Sequence, residues 1–329
     1  MTEPEATAGS PAAVPLPAPS SSVQPPASSG VSAMLAPETL HAIVPIELRA
    51  RLVADALFAG GHRSRRFGSS TEFAEHKVYT PGDDIRRLDW RVMGRLDKSY
   101  VRRTEDETRT DVVIVVDTSN SMAYAGGARG TIGPSKLDVA RTLAAATAFI
   151  ALQQQDAPGV SLFAGEEHAS LPPRGRGDAL GQIGEVLLTA TANGGTALGA
   201  TLQRVGERLR RKAVVVVISD LIDAGADALD TLGVLRRRGG EAMVMQVLHD
   251  DELDFPFDGV VKFEDLEGDR EVQVDAPLVR KAYLAELAKF LAEVEQRAGA
   301  NDARYGLFRV GGSVVEPLGA ILDDHRGRR

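Results

Sequence analysis

The chain has 329 residues, 43% hydrophobic and 26% charged, with a formal net charge of −8 and no cysteine. That length suits one large domain or two smaller ones, and the missing thiols exclude disulfides, thiolate metal sites and cysteine nucleophiles. The acidic balance argues against general nucleic-acid binding, and the absence of cysteine fits a reducing compartment. Residues 1–36 are rich in Pro, Ala and Ser with few large apolar side chains, a composition that cannot offset the entropy of ordering; a disordered tail is expected. Its start, MTEPEATAGS, has neither a basic segment nor an apolar core and does not read as a secretory signal. A helix is predicted to open at Ala36-Pro37-Glu38, with proline in its first turn and an apolar stripe of Leu40, Ile43, Val44, Leu48, Leu52 and Leu57. Residues 60–110 carry glycines, a Pro81-Gly82 turn signal, dense charge and alternation near Val78–Tyr79 and Tyr100–Arg103 that suggests short strands. Residues 37–110 are therefore read as an N-terminal extension of one helix and some extended structure.

From Asp111 to the end the pattern is regular. β-branched runs predict strands at 112–117, 159–164, 213–219, 242–248 and 304–309. Longer periodic segments predict helices at 135–154, 178–189, 197–211, 224–238, 277–298 and 314–323. Continuous apolar strands alternating with helices argue for an α/β domain over 111–329, a mostly parallel sheet with helices on both faces. His168–Leu171 is expected as a short antiparallel edge strand closed by Pro172-Pro173. The apolar runs at 112–116 and 213–218 fall well short of the ~20 residues of a membrane helix. A soluble cytoplasmic protein without membrane insertion is the expectation.

Ligands of parallel α/β sheets sit outside the carboxyl ends of the strands. There the first strand runs into Asp117, Ser119 and Ser121, and the strand at 213–219 runs into Asp220. Asn193-Gly194-Gly195-Thr196 precedes a helix, its glycines allowing a tight turn that sets a hydroxyl at the helix start. Capping and turn chemistry favour the same residue types and explain each one alone, but not the convergence of three loops. Two carboxylates and three hydroxyls form an all-oxygen set suited to a hard cation, Mg2+ before Mn2+ or Ca2+. The neutral hydroxyls leave such an ion electrophilic, ready to take one more carboxylate from a partner protein.

Asp117-x-Ser119-x-Ser121, Thr196 in its Gly-Gly-Thr loop and Asp220 resemble the metal-ion-dependent adhesion site (MIDAS) of von Willebrand factor A domains. The stretch EFAEHKVYTPGDDIRRLDW, then VRRTEDE, LPPRGRGD and NGGTALGATL, resembles the bacterial family called domain of unknown function fifty-eight, from Gly60 to the C-terminus. The resemblance implies a von Willebrand A, Rossmann-like fold with an N-terminal extension. It also implies pairing with MoxR-type AAA+ ATPases, in systems that assist maturation of other proteins or metal insertion into them. The reading is a non-enzymatic, metal-dependent interaction module that adapts a MoxR-type ATPase or its client. The alternative is a metal-dependent hydrolase, such as a phosphoesterase, using the same ion as a Lewis acid.

Other signals have plainer readings. No GxSxG, HExxH, GxxxxGK[ST] or strand-borne GxGxxG occurs, and GGARGTIGPSK lacks the Gly-Lys pair of a phosphate loop. Asp83, Asp84, Arg86, Arg87, Asp89 and Trp90 suit a buried ion-pair corner better than a partner-facing element. Arg208 to Lys212 and Arg236-Arg237-Arg238 complement helix dipoles. His249-Asp250-Asp251 reads as a solvated loop rather than a second metal site. Gly60–Arg103 carries a net +5 and Asp250–Asp275 a net −9. These are solvated or mutually facing stretches, or a docking surface for a charged partner.

Overall fold

The computed structural model describes residues 40, 45–60, 75–78, 100–103, 109–128, 130, 132–175, 177–209, 213–266 and 271–323. Helix α1 (Ile46–Ala59) precedes a two-stranded antiparallel pair, β1 (Glu75–Val78) and β2 (Tyr100–Arg103). The α/β part then runs β3 (Asp111–Asp117), α2 (Lys136–Gln153), β4 (Ala157–Phe163), β5 (Glu167–Leu171), α3 (Ala179–Thr189) and α4 (Leu198–Arg208). It continues through β6 (Val214–Ser219), α5 (Leu232–Arg237), β7 (Glu241–Leu248) and α6 (Asp250–Asp254). A hairpin of β8 (Val260–Glu264) and β9 (Glu271–Asp275), then α7 (Ala276–Ala300), β10 (Arg304–Arg309) and α8 (Val315–Asp323), complete it. The main sheet has six strands in the order β10-β7-β6-β3-β4-β5, all parallel except β5.

The alternation of side chains along each strand divides the core in two. Val112, Ile114 and Val116 of β3 join Val214, Val216 and Ile218 of β6 and Met243, Met245 and Val247 of β7 beneath α1, α2, α3 and α8. Val113, Val115, Val215, Val217 and Val244 face the other way, under α4, α5 and α7. Strands buried on both faces read as unbroken apolar runs, which is why the sheet was legible. Each such Val or Ile withdrawn from water contributes about 1.5–3 kcal/mol before entropy is counted. Because β3 lies between β4 and β6, the chain turns to opposite sides at its carboxyl end, the place where parallel α/β sheets take their ligands.

Helix α1 belongs to this core: Ile46, Ala50, Val53, Ala54 and Leu57 are buried in the same cluster as the sheet. The predicted stripe is rotated from the real one, since Leu48 is exposed and Ala50 and Ala54 face inward. The reason is close helix packing. α1 lies along α2, whose Ala140, Ala144, Ala148 and Ala151 are also buried, and small side chains let the two backbones approach. Leu40, on the predicted stripe, is helical and buried in the same cluster; the next described helix opens at Ile46, after Pro45, and Pro37 lies outside the described residues. The predicted helix at 224–238 is a 3-10 turn (Ala226–Thr231) followed by the short α5. Helix α6 and the β8–β9 hairpin, both inside the acidic stretch, were not predicted. The hairpin side chains are exposed or half-buried on both faces, so no apolar run announces them.

Strand β5 is the antiparallel edge expected near His168–Leu171. Its closure depends on Gly159 in β4, where an added Cβ would lie 2.7 Å from the Leu171 carbonyl oxygen and the Pro173 nitrogen. Both are backbone atoms and cannot swing aside. Gly159→Val is expected to cost about 1–3 kcal/mol by overpacking, read as a lower urea midpoint with an unchanged slope.

Candidate functional site

Three loops are stitched together at the carboxyl ends of β3 and β6. The Asn120 amide donates to the Gly194 carbonyl (2.9 Å) and the Asn193 amide to the Thr118 carbonyl (2.8 Å), tying the loop after β3 to the Gly-Gly-Thr loop. The Thr118 hydroxyl and amide both donate to the Phe163 carbonyl at the end of β4, each at 2.8 Å. On the other side, the Gln246 side chain of β7 donates to the Asp220 carbonyl (2.8 Å) and accepts from the Tyr305 hydroxyl (2.8 Å). Leu221 adopts a left-handed φ of 61°, uncommon for a bulky residue, and its amide donates to Ser219 Oγ at 3.0 Å. That turn re-aims the chain directly after Asp220.

The structure brings Asp117, Ser119, Ser121 and Thr196 into one hydrogen-bonded group. Asp117 Oδ1 accepts from the Ser119 amide (2.9 Å), and Oδ2 accepts from Ser219 Oγ (2.6 Å) and Thr196 Oγ1 (3.4 Å). Ser119 Oγ and Ser121 Oγ lie 3.1 Å apart. Asp117, Ser119, Ser121 and Asp220 are buried, whereas Thr196 is half-buried and Asn193, Gly194 and Gly195 are exposed.

Asp220, the fifth predicted residue, is engaged elsewhere. Its Oδ2 accepts from the ammonium of Lys136 at 2.7 Å and its Oδ1 from the Ile222 amide at 3.2 Å. Lys136 is the first residue of α2 and its side chain is only 1% exposed. It also bonds Glu252 Oε1 of α6 at 2.7 Å. Burial pulls the Lys136 pKa down, but Asp220 and Glu252 outweigh it and the net direction is up, so the group stays an ammonium. Sequence reasoning missed Lys136, Ser219, Gln246 and Glu252. One signal was available: a lysine at the first position of a helix sits at the positive end of the dipole, where a cation is disfavoured unless carboxylates meet it.

Burial, and then the charge of Asp220, push the Asp117 pKa up from 3.8 to about 6, against the opposing pull of its bonds from Ser219 and Ser119. The carboxyl ionises near 3.8 when unfolded and near 6 when folded, so between these values the folded chain binds more protons and stability falls as pH rises. The cost, on the order of 3 kcal/mol, is fully present above about pH 6 and gone below about pH 4. In chelator, Asp117→Asn is expected to exceed the unsubstituted chain in urea midpoint at pH 7.5 and to lose that advantage by pH 4. A pH-independent difference would contradict this origin of the strain.

A buried carboxylate destabilised by its burial and by the nearby charge of Asp220, with hydroxyls beside it, fits a hard cation. Adjacent oxygens around an octahedral Mg2+ with 2.0–2.1 Å bonds stand about 2.9 Å apart, close to the 3.1 Å between the two serine hydroxyls. Among the described residues no group of three or more His, Cys, Asp or Glu is arranged to hold an ion, so hydroxyls are needed to complete any such site here.

A sequence profile described as a protein family of unknown function, DUF58, matches residues 75–292, more than half of the chain and all five residues above. The chain belongs to the DUF58 family. Uncharacterized proteins of Mycobacterium bovis and Mycobacterium tuberculosis are 27% identical to this DUF58 chain over 263 residues, spanning 78% of it and 80% of each relative. Among solved structures it is similar to the conserved hypothetical protein BatB from Bacteroides thetaiotaomicron, at 15% identity and a TM-score of 0.41 over 65% of this chain and 98% of that one. It is also similar to an aerotolerance-related membrane protein from Bacteroides fragilis, at 20% identity and a TM-score of 0.41 over 65% of this chain and 97% of that one. Among the described residues of this DUF58 chain, no helix is long and apolar enough to cross a membrane.

His249 is not in a solvated loop: it caps α6, accepting from the Asp251 amide at 3.0 Å, and its ring meets Tyr124 edge-on at 5.0 Å. Asp251 is buried and accepts from the Tyr124 hydroxyl (3.2 Å) and the Ala128 amide (3.1 Å). Much of the acidic stretch is internally paired, with Asp250 and Asp254 on Arg309 and Asp258 on Arg280. Arg208 pairs with Glu167, Arg236 with Asp302, and Arg238 donates to the Gly206 carbonyl, which gives these basic helix ends structural partners. Asp83 through Trp90 and Arg210 through Lys212 lie outside the described residues.

Proposed function

We propose that the Asp117–Ser119–Ser121–Thr196–Asp220 cluster is a MIDAS-type site on a von Willebrand A-like fold. It holds Mg2+, and the ion takes an Asp or Glu side chain from a partner protein. The observation that carries this reading is the convergence of three sequence-distant loops on Asp117, whose carboxylate is destabilised by burial and by Asp220 and would be relieved by a cation. The ion, when bound, supplies an electrophilic attachment point. Asp117 and Asp220 supply its charge balance, the hydroxyls of Ser119, Ser121 and Thr196 fill neutral positions, and the exposed Gly194-Gly195 leaves room for the incoming carboxylate. The chain acts as an adaptor rather than an enzyme, and the partner class that suits its family is a MoxR-type AAA+ ATPase or that ATPase's client.

The test is co-elution of the full chain with a MoxR-type ATPase of the same organism, in Mg2+ and in EDTA. Binding in Mg2+, loss in EDTA and loss in Asp117→Ala are expected. Equal binding in all three conditions would exclude the ion bridge.

A further inference from the structure

Both carboxylate oxygens of Asp220 are already engaged within the chain, one of them by a cation. Lys136 reaches Asp220 Oδ2 at 2.7 Å, and the other oxygen is taken by the Ile222 amide. The lysine cannot retreat to water, because its side chain is 1% exposed. It has a second anchor in Glu252, also at 2.7 Å, and that carboxylate is itself fixed through its other oxygen by the His249 amide (2.7 Å) at the start of α6. An ion that draws Asp220 away therefore leaves the ammonium paired with Glu252.

We propose that Lys136 is a tethered cation that competes with the divalent ion for Asp220. The resting chain then holds its ion loosely, and holds it firmly only when a partner's carboxylate joins it. This inference rests on reading the cluster as an ion site. Two cations sharing one carboxylate repel each other across a few ångströms of low-dielectric protein, so each weakens the other. A partner's carboxylate restores the charge that the ammonium takes away, which couples ion retention to partner binding. Lys136 acts here as a positioning and affinity-setting residue that touches the ligand Asp220, not the ion.

The experiment is isothermal titration of the full chain with Mg2+, and with Mn2+ as a second probe, at fixed ionic strength. It compares the unsubstituted chain, Lys136→Met, the charge-balanced Lys136→Met/Glu252→Gln, and each of these combined with Asp117→Ala. Both lysine variants are expected to bind about tenfold more tightly or better, within the range of ordinary coupling, and to lose that binding with Asp117→Ala. The charge-balanced variant carries the test if the single variant does not fold. If it binds as the unsubstituted chain does, and binding still needs Asp117, competition by Lys136 is overturned while the ion site stands. Binding indifferent to Asp117 in every background, or none at all, overturns the ion site and this inference with it.

Discussion

Lys136→Met is expected to lose about 3–5 kcal/mol of stability in chelator, the cost of stranding buried carboxylates without their cation. Asp220 is 2% exposed and Glu252 18%, so water screens neither well. The ion pair need not be strongly stabilising in itself for this loss to appear. Desolvation consumes most of the attraction between buried charges, and what the variant exposes is the penalty of leaving one side unpaired. Removing the whole group tells the two apart. Lys136→Met/Asp220→Asn/Glu252→Gln should recover most of the loss, because neutral amides can still accept from the Ile222 and His249 amides. Urea midpoints of the three chains decide it. A single variant within about 1 kcal/mol of the unsubstituted chain would mean that the triad is looser and wetter than its 2.7 Å distances indicate.

Asp117→Ala should weaken Mg2+ binding at least about a hundredfold, beyond the 10–100-fold typical of residues that only support a ligand. It removes a side chain that holds its own loop through the Ser119 amide, the Gly-Gly-Thr loop through the Thr196 hydroxyl and β6 through Ser219. Fold stability should not fall in parallel, since the substitution also removes a carboxylate whose charge destabilises the fold at neutral pH. Loss of ion binding with an unchanged or higher urea midpoint in chelator is the combined signature. A variant that binds Mg2+ as before would show that Asp117 serves only to knit the loops together.

The legible parts of the molecule are those whose physics is local. Val112 to Val116 and Val214 to Ile218 are buried on both faces and needed no partner to be recognised as strands. Asp117, Ser119 and Ser121 lie within five residues of one another, and the Gly-Gly-Thr loop announces its own turn. Lys136 was not legible as a site residue because its partners are 84 and 116 positions away, and only the fold brings α2, β6 and α6 to one point. Ser219 escaped because a serine closing a strand has no distinguishing pattern until its hydroxyl is seen 2.6 Å from Asp117. Leu48 was misjudged for a related reason: hydrophobicity chose the leucine, whereas the close approach of α1 and α2 chose Ala50 and Ala54. The acidic stretch looked like a solvated loop because composition does not show that Arg309 and Arg280 lie across from it.

The proposed site lies at the carboxyl ends of β3 and β6, with a divalent ion held among these five residues. Crystals of the full chain soaked in Mn2+ test it most directly through anomalous scattering. A single strong peak bonded to Ser119 Oγ and Ser121 Oγ, beside the carboxylates of Asp117 and Asp220, is the expected result. No peak there at saturating Mn2+, or the strongest peak at carboxylates elsewhere on the surface, would contradict it.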